Sequence, residues 1–255
     1  MAVVSKMFNL LILGGTREAS QLAQQAVNDA HLRVITSLAG RTTQPAFIPG
    51  EVRSGGFGGE QGFIDYLRAN SIGAVVNATH PFANEISRYA VTACQQENIP
   101  YLRFLRPAWQ TQSGDQWYCV EDVASAARMV AKVGKRIFLA CGRKEIKYFA
   151  GTDKDLFFLV RFIQSDSQKL PLNHYELIFD RGPFAETQEL DVLKRYRIDL
   201  VVSKNSGGSG AYAKIAAARK LSIPIVMIQR PLQSQAVTVT QLAQVMTWIN
   251  DRFCH

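Results

Sequence analysis

The sequence predicts an α/β protein whose strands run mainly parallel, arranged in two successive lobes. Three observations carry that reading. Apolar runs alternate with helical patterns along all 255 residues, single helices separate most of the strands, and many of the turns between them hold glycine. Strands joined through one helix form right-handed βαβ units, and such units build parallel sheets. Composition agrees, since 47% apolar and 20% charged residues is an ordinary globular balance that excludes disordered and coiled-coil classes.

The elements follow in order. Residues 8–13 are an apolar run that reads as a buried first strand. Residues 18–28 are helical, with Ala19, Leu22, Ala23 and Ala26 on one face. A second strand at 32–38 ends in the turn Ala39-Gly40-Arg41. Beyond the glycine-dense stretch 55–59 come a helix at 62–70, a strand at 74–78, a helix at 84–97 and a strand at 100–105. Residues 106–117, with Pro107, Gly114 and little periodicity, divide the chain into lobes over 7–108 and 109–255. The second lobe continues with a helix at 123–133, strands at 136–140, 156–163 and 175–179, and a helix at 186–196. It ends with a strand at 198–203, a helix at 211–220, a strand at 225–228 and a last helix at 241–251.

Charge narrows the class of partner. Lys and Arg number 29 against 21 Asp and Glu, an excess of +8, which favours nucleic acid, a membrane surface or a small polyanion. No apolar stretch approaches the ~20 residues of a membrane span, and no basic run interleaves with aromatics as nucleic-acid readers require. Cys94, Cys119, Cys141 and Cys254 show no C-x-x-C spacing, and the four histidines form no H-x-x-x-H pair. A reduced, cytoplasmic chain with no protein-built metal site is therefore expected.

The turn Leu13-Gly14-Gly15-Thr16-Arg17-Glu18 sits where the first strand becomes a helix. Free N–H groups and the positive helix end meet there, which suits a phosphate; Thr16 can cap the helix while donating its hydroxyl. It is neither a G-x-G-x-x-G nor a P-loop, and a ligand-free tight turn is the competing reading. The second strand ends Thr36-Ser37-Leu38-Ala39-Gly40-Arg41. It holds no carboxylate for the ribose hydroxyls of NAD and one arginine suited to a 2′-phosphate, so NADPH is preferred, with NADH the alternative. Thr79 and His80 follow the strand at 74–78 and face the nicotinamide ribose on this reading.

Cations gather where other strands end: Arg106 after 100–105, Arg143 and Lys144 after 136–140, Arg181 after 175–179, and Lys204 after 198–203. If the strands are parallel, these side chains emerge on sheet edges beside glycine-rich turns, as an anion-binding cleft needs. Residues 207–210 form a second candidate anion nest.

Taken in order, Leu13-Gly14-Gly15-Thr16-Arg17-Glu18-Ala19, Ser37-Leu38-Ala39-Gly40-Arg41, Gly55-Gly56-Phe57-Gly58-Gly59, Ala78-Thr79-His80-Pro81-Phe82-Ala83, Gly142-Arg143, Arg181-Gly182-Pro183-Phe184 and Lys204-Asn205-Ser206-Gly207-Gly208 resemble the precorrin-6A reductase family of cobalamin biosynthesis, cobalt-precorrin-6A reductases included. The resemblance implies two Rossmann-like lobes with the active site in the cleft between them. It implies hydride transfer from NADPH or NADH to one double bond of a ring-contracted tetrapyrrole carrying acetate and propionate groups, giving precorrin-6B. By position Gly14, Gly15, Thr16, Ser37, Arg41, Thr79 and His80 hold the dinucleotide. Arg17, Arg106, Arg143, Arg181, Lys204, Asn205 and Ser206 face the substrate, and Lys204 is the candidate proton donor beside His80 and water. The readings left standing against it are a different NAD(P)-dependent reductase of a polyanion, a dinucleotide sensor that transfers nothing and, on net charge alone, a nucleic-acid-binding protein. No nucleic acid or membrane partner is expected.

Overall fold

The computed structural model describes residues 7–40, 47–152, 154–164, 168–231 and 236–253. The first strand, β1 (Phe8–Leu13), explains the architecture around it. Successive side chains of a strand point to opposite faces. Leu10 and Ile12 accordingly enter one apolar cluster, and Leu11 and Leu13 enter the other. A strand buried on both faces needs an unbroken apolar run, which 8–13 supplies.

Contacts divide the chain into one unit of Met1–Pro107 with Leu232–His255, and a second of Ala108–Pro231. In the first unit β1 is followed by α1 (Arg17–Ala26), β2 (Leu32–Leu38), β3 (Glu51–Ser54), α2 (Gly59–Ala69), β4 (Ile72–Asn77), α3 (Asn84–Gln96) and β5 (Tyr101–Phe104). The sixth strand and the last helix of the chain, β12 (Thr238–Val239) and α7 (Leu242–Phe253), complete it. The sheet is wholly parallel in the order β12-β5-β4-β1-β2-β3. One face packs on α1 and α7, the other on α2 and α3.

This corrects the lobe boundary read from the sequence, which kept everything from 109 to 255 together. The tail returns to the first unit because β12 pairs with β5, and because Val245 and Ile249 of α7 lie fully buried in the cluster of Leu22 and Ala26. Phe253 packs on Phe8, ring centroids 4.3 Å apart. Each of those two buried side chains is worth about 1.5–3 kcal/mol relative to exposure, so α7 is held firmly where its apolar stripe finds a partner.

The second unit holds β6 (Trp117–Val120), α4 (Val123–Val133), β7 (Arg136–Ala140), a 3-10 helix (Arg143–Phe149), β8 (Phe157–Phe162) and β9 (His174–Phe179). It continues with α5 (Glu186–Arg195), β10 (Leu200–Lys204), α6 (Ala213–Lys220) and β11 (Ile225–Ile228). Its sheet is also parallel throughout, in the order β6-β11-β10-β7-β8-β9. No helix is long and apolar enough to cross a membrane among the described residues.

Candidate functional site

In the first unit the strand order reverses between β1 and β4, since β2 lies on one side of β1 and β4 on the other. Ligands of open α/β sheets collect beyond the carboxyl ends of strands at such a point. Gly14, Gly15, Thr16, Ser37, Thr79 and His80 all stand there, at or just past the ends of β1, β2 and β4. Arg41 lies outside the described residues.

The two glycines have different reasons. Gly14 donates its N–H to Ser37 O at 2.9 Å, and a Cβ on it would come within 3.0 Å of Thr36 Cγ2, so it is small to let β2 approach. Gly15 has φ +96 and nothing within 4 Å of where a Cβ would stand. Its backbone is strained for other residues and its side-chain face is open. A dinucleotide pyrophosphate fits this cradle, because α1 opens immediately after it and its first-turn N–H groups have no acceptor within the helix. Thr16 caps α1, accepting from Ala19 N at 3.1 Å, a cap worth about 1 kcal/mol. Its hydroxyl proton goes to Ala78 O at 2.7 Å. That is a correction to the reading that pointed this hydroxyl at a ligand: it ties the end of β4 to the head of α1.

Arg53 is the residue that sequence reasoning missed. It lies on β3, and its Nη1 donates to Ser37 Oγ at 2.7 Å and Gly55 O at 3.1 Å, with Nη2 donating to Gly56 O at 3.0 Å. The guanidinium lies over Phe57, 3.9 Å from the ring centroid. A planar cation is thus fixed against Ser37 at the carboxyl end of β2. The signal that would have found it is the Arg53 to Phe57 run, read as a strand feeding a glycine loop.

Under Thr79 and His80 lies a second unforeseen group. Arg103 of β5 is 2% exposed and donates to Asn77 O at 2.9 Å, to Asn77 Oδ1, and to Thr79 Oγ1 and O, both at 3.1 Å. Asn77, fully buried, accepts from Thr79 N at 3.1 Å and donates to Ser87 Oγ at 3.1 Å and Tyr101 Oη at 2.8 Å. Burial pushes the Tyr101 phenol up to about 12 and lowers the Arg103 guanidinium. His80 Nδ1 accepts from Phe82 N at 3.3 Å, which leaves the ring proton on Nε2 in the neutral imidazole.

The cations predicted at strand ends separate into the two units. Arg17, exposed, and Arg106 belong to the first. Arg106 Nη1 pairs with Glu18 Oε2 at 2.7 Å, so its charge is met locally by the first turn of α1. Arg143, Arg181 and Lys204 stand at the carboxyl edge of the second sheet, after β7, after β9 and at the end of β10. Lys204 pairs with Glu145, whose other oxygen accepts from Gly142 N at 2.7 Å. Arg143 lies over Phe162, 4.1 Å from its centroid, and Arg181 is exposed. A concavity of about 290 Å³ is lined by Arg143, Lys144, Lys147 and Lys169 with Leu170 and Pro171.

The Asn205 side chain is tied to backbone rather than open to a ligand. Asn205 is 4% exposed; its Oδ1 accepts from Trp109 N at 2.8 Å and its Nδ2 donates to Trp109 O at 3.0 Å. Both ends of the amide are thus committed to backbone. Arg230 donates to Asn205 O at 2.9 Å and to Ser206 O at 3.0 Å. These residues hold the loop that follows Lys204. Behind it, Lys214 is buried, donates to Ala211 O at 2.8 Å, and is lowered to about 8 by burial. No group of three or more His, Cys, Asp or Glu is placed to hold a metal ion among the described residues.

Comparison with known proteins follows this geometry. Residues 9–250 match the family described as precorrin-6x reductase CbiJ/CobK. The precorrin-6A reductase of Rhodococcus erythropolis is 41% identical over 244 residues, covering 95% of this chain and 98% of the relative. The cobalt-precorrin-6A reductase of Priestia megaterium is 31% identical over 236 residues, covering 87% and 90%. A solved structure described as CobK precorrin-6A reductase superposes with a TM-score of 0.91 at 38% identity, covering 96% of this chain and 97% of that one.

Proposed function

The chain belongs to the precorrin-6x reductase family, and from that premise we propose that it reduces precorrin-6A to precorrin-6B with NADPH in cobalamin biosynthesis. The observation that carries the cofactor reading is Gly15: a positive-φ glycine with an open side-chain face, at a helix head, where the strand order of a parallel sheet reverses. When bound, the cofactor supplies a hydride, and the protein supplies binding, orientation and electrostatics.

On this reading Gly14, Gly15 and the first-turn amides of α1 hold the pyrophosphate, and Thr16 fixes the turn against β4. Ser37 and Arg53, together with Arg41, hold the adenosine end. Arg53, with Arg41 following in a stretch 36–41 that holds no carboxylate, suits a 2′-phosphate, since the guanidinium fork matches a phosphate better than a ribose hydroxyl. Thr79 and His80 stand at the nicotinamide end. Arg143, Arg181 and Lys204 receive acetate and propionate groups of the tetrapyrrole in the second unit, with Arg17 the first unit's cation for the substrate. Lys144, Lys147 and Lys169 extend that set around the concavity beside Arg143. Fixed cations also stabilise charge that develops on the macrocycle during reduction. Lys204 holds a proton at Nζ, paired to Glu145, and donates it as the double bond is saturated.

The metal-free substrate is favoured over its cobalt form. Relatives named for the metal-free reaction are 38–41% identical, whereas those named for the cobalt reaction are 24–31% identical. The deciding experiment mixes the purified chain with NADPH and follows absorbance with and without precorrin-6A. Oxidation that depends on the tetrapyrrole is the expected result; dinucleotide binding with no turnover favours a sensor instead. Repeating the assay with NADH, and on Arg53→Gln, tests the cofactor assignment. Arg53→Gln should raise the KM for NADPH about tenfold and leave NADH unmoved, and an equal effect on both sinks the 2′-phosphate role.

A further inference from the structure

Arg103 is a buried cation surrounded by neutral acceptors. Its guanidinium donates to two oxygens of Asn77 and two of Thr79, and reaches His80 O at 3.5 Å. Its Nε is buried with no acceptor. No carboxylate forms an ion pair with it among the described residues; the titratable groups that act on it are the Tyr101 phenol, which burial keeps neutral, and the like-charged Arg106 guanidinium. Arginine does not give up its proton in a protein interior, so the charge stays. An uncompensated charge away from water is costly to keep, and its field is poorly screened.

The place of this charge matters because of the topology. Arg103 lies directly under the turn that follows β4, on the side of the reversal point opposite β2. A dinucleotide lying across that point puts its adenosine half beyond β2 and its nicotinamide half beyond β4. The nicotinamide ring is neutral in the reduced cofactor and carries a positive charge in the oxidised one. The phosphates are the same in both forms, so their attraction to Arg103 cancels when the two are compared. What remains is repulsion between a fixed guanidinium and the oxidised ring.

We propose that Arg103 makes this site hold the reduced cofactor in preference to the oxidised one, both by fixing the Thr79–His80 turn and by supplying an unneutralised charge beneath it. The proposal rests on the cofactor reading above. For unit charges on the order of 10 Å apart, an effective dielectric of about 20 gives a preference of about tenfold. The bias favours discharge of the spent cofactor after each turnover.

The test is a binding measurement and needs no tetrapyrrole. NADPH and NADP⁺ are titrated separately into the full chain by calorimetry, for the wild type, Asn77→Asp and Asn77→Ser. Asn77→Asp is nearly isosteric and sets a carboxylate against Arg103; Tyr101 and Ser87 can turn their hydroxyl protons toward it. The wild type should bind NADPH about tenfold or more tightly than NADP⁺. Asn77→Asp should bring the two dissociation constants together, chiefly by tightening NADP⁺, whereas Asn77→Ser, which removes hydrogen bonds but adds no charge, should keep the preference. A wild type that binds both forms equally overturns the proposal without any variant. So does a preference that survives Asn77→Asp, or one lost equally in Asn77→Ser, which would make Arg103 purely structural. A wild type that binds neither dinucleotide overturns the cofactor reading itself and this inference with it.

Discussion

The two sheets are built alike and end differently. Both are six-stranded and parallel, and both carry glycine-rich turns at their carboxyl edges. At the first edge the proposed recognition surface is main chain: Gly14, Gly15 and the head of α1, with Arg53 and Arg103 clamped by carbonyl and hydroxyl groups. At the second it is long side chains, with Lys204 set against Glu145 and, behind it, Arg161 against Glu189 at 2.5 Å. The difference teaches what each edge can recognise. A main-chain cradle accepts one shape of phosphate and rejects most changes of backbone, whereas a partly exposed pair such as Lys204 with Glu145 can exchange a protein carboxylate for a ligand carboxylate.

That contrast can be broken in four places. The largest effect should come from Gly15→Val, which forces a β-branched residue into positive φ and fills the open face. Dinucleotide affinity should fall about a hundredfold or more while circular dichroism is retained; unchanged affinity would show that the cradle is not the cofactor's. Next, Lys204→Met should lower kcat/KM for the tetrapyrrole about tenfold to a hundredfold while the Kd for NADPH stays put. A shift in NADPH binding of the same size would move Lys204 out of the substrate edge.

Asn205→Ala sharpens the comparison from the structural side. It strips the partners from both backbone groups of Trp109 and should cost about 1–3 kcal/mol of stability, seen as a lowered Tm with cofactor affinity intact. The smallest effect concerns Lys214. Its folded pKa of about 8 lies below its ordinary 10.5, so between these values the unfolded chain binds a proton that the folded protein has released. Stability therefore gains from this group as pH rises above 8, by about 1 kcal/mol per pH unit at most. Lys214→Met should lose that gain, measured as the difference from wild type in urea melts at pH 8 and pH 9. Parallel curves for the two proteins would assign the lysine an ordinary pKa.

Much of this was legible in the sequence. The strands at 8–13, 32–38 and 225–228 and the helix at 123–133 coincide with β1, β2, β11 and α4, because each is a sharply bounded apolar run or an amphipathic stripe. β3 was not legible: Glu51, Val52 and Ser54 are exposed, and an edge strand with no buried face has no periodicity to read. The helix near 241–251 was visible, but not its destination, since an apolar stripe says that a helix packs and not on which sheet. At the site, glycines and strand-end cations could be read in advance because they follow local rules. The partners of Thr16, Asn205 and Arg103 lie 62, 96 and 26 residues away, and only the folded chain shows that the first two are fully committed and that no carboxylate pairs with the third among the described residues.

The return of the tail to the first sheet has a consequence for synthesis. Strands β1 to β5 leave the ribosome well before their edge partner β12 and the helix that covers Leu22 and Ala26. The whole of 108–231 emerges in between as one uninterrupted stretch holding all six strands of its own sheet. The lobe that begins the chain is thus the one that must wait, with part of one apolar face of its sheet uncovered, until β12 and α7 have been made.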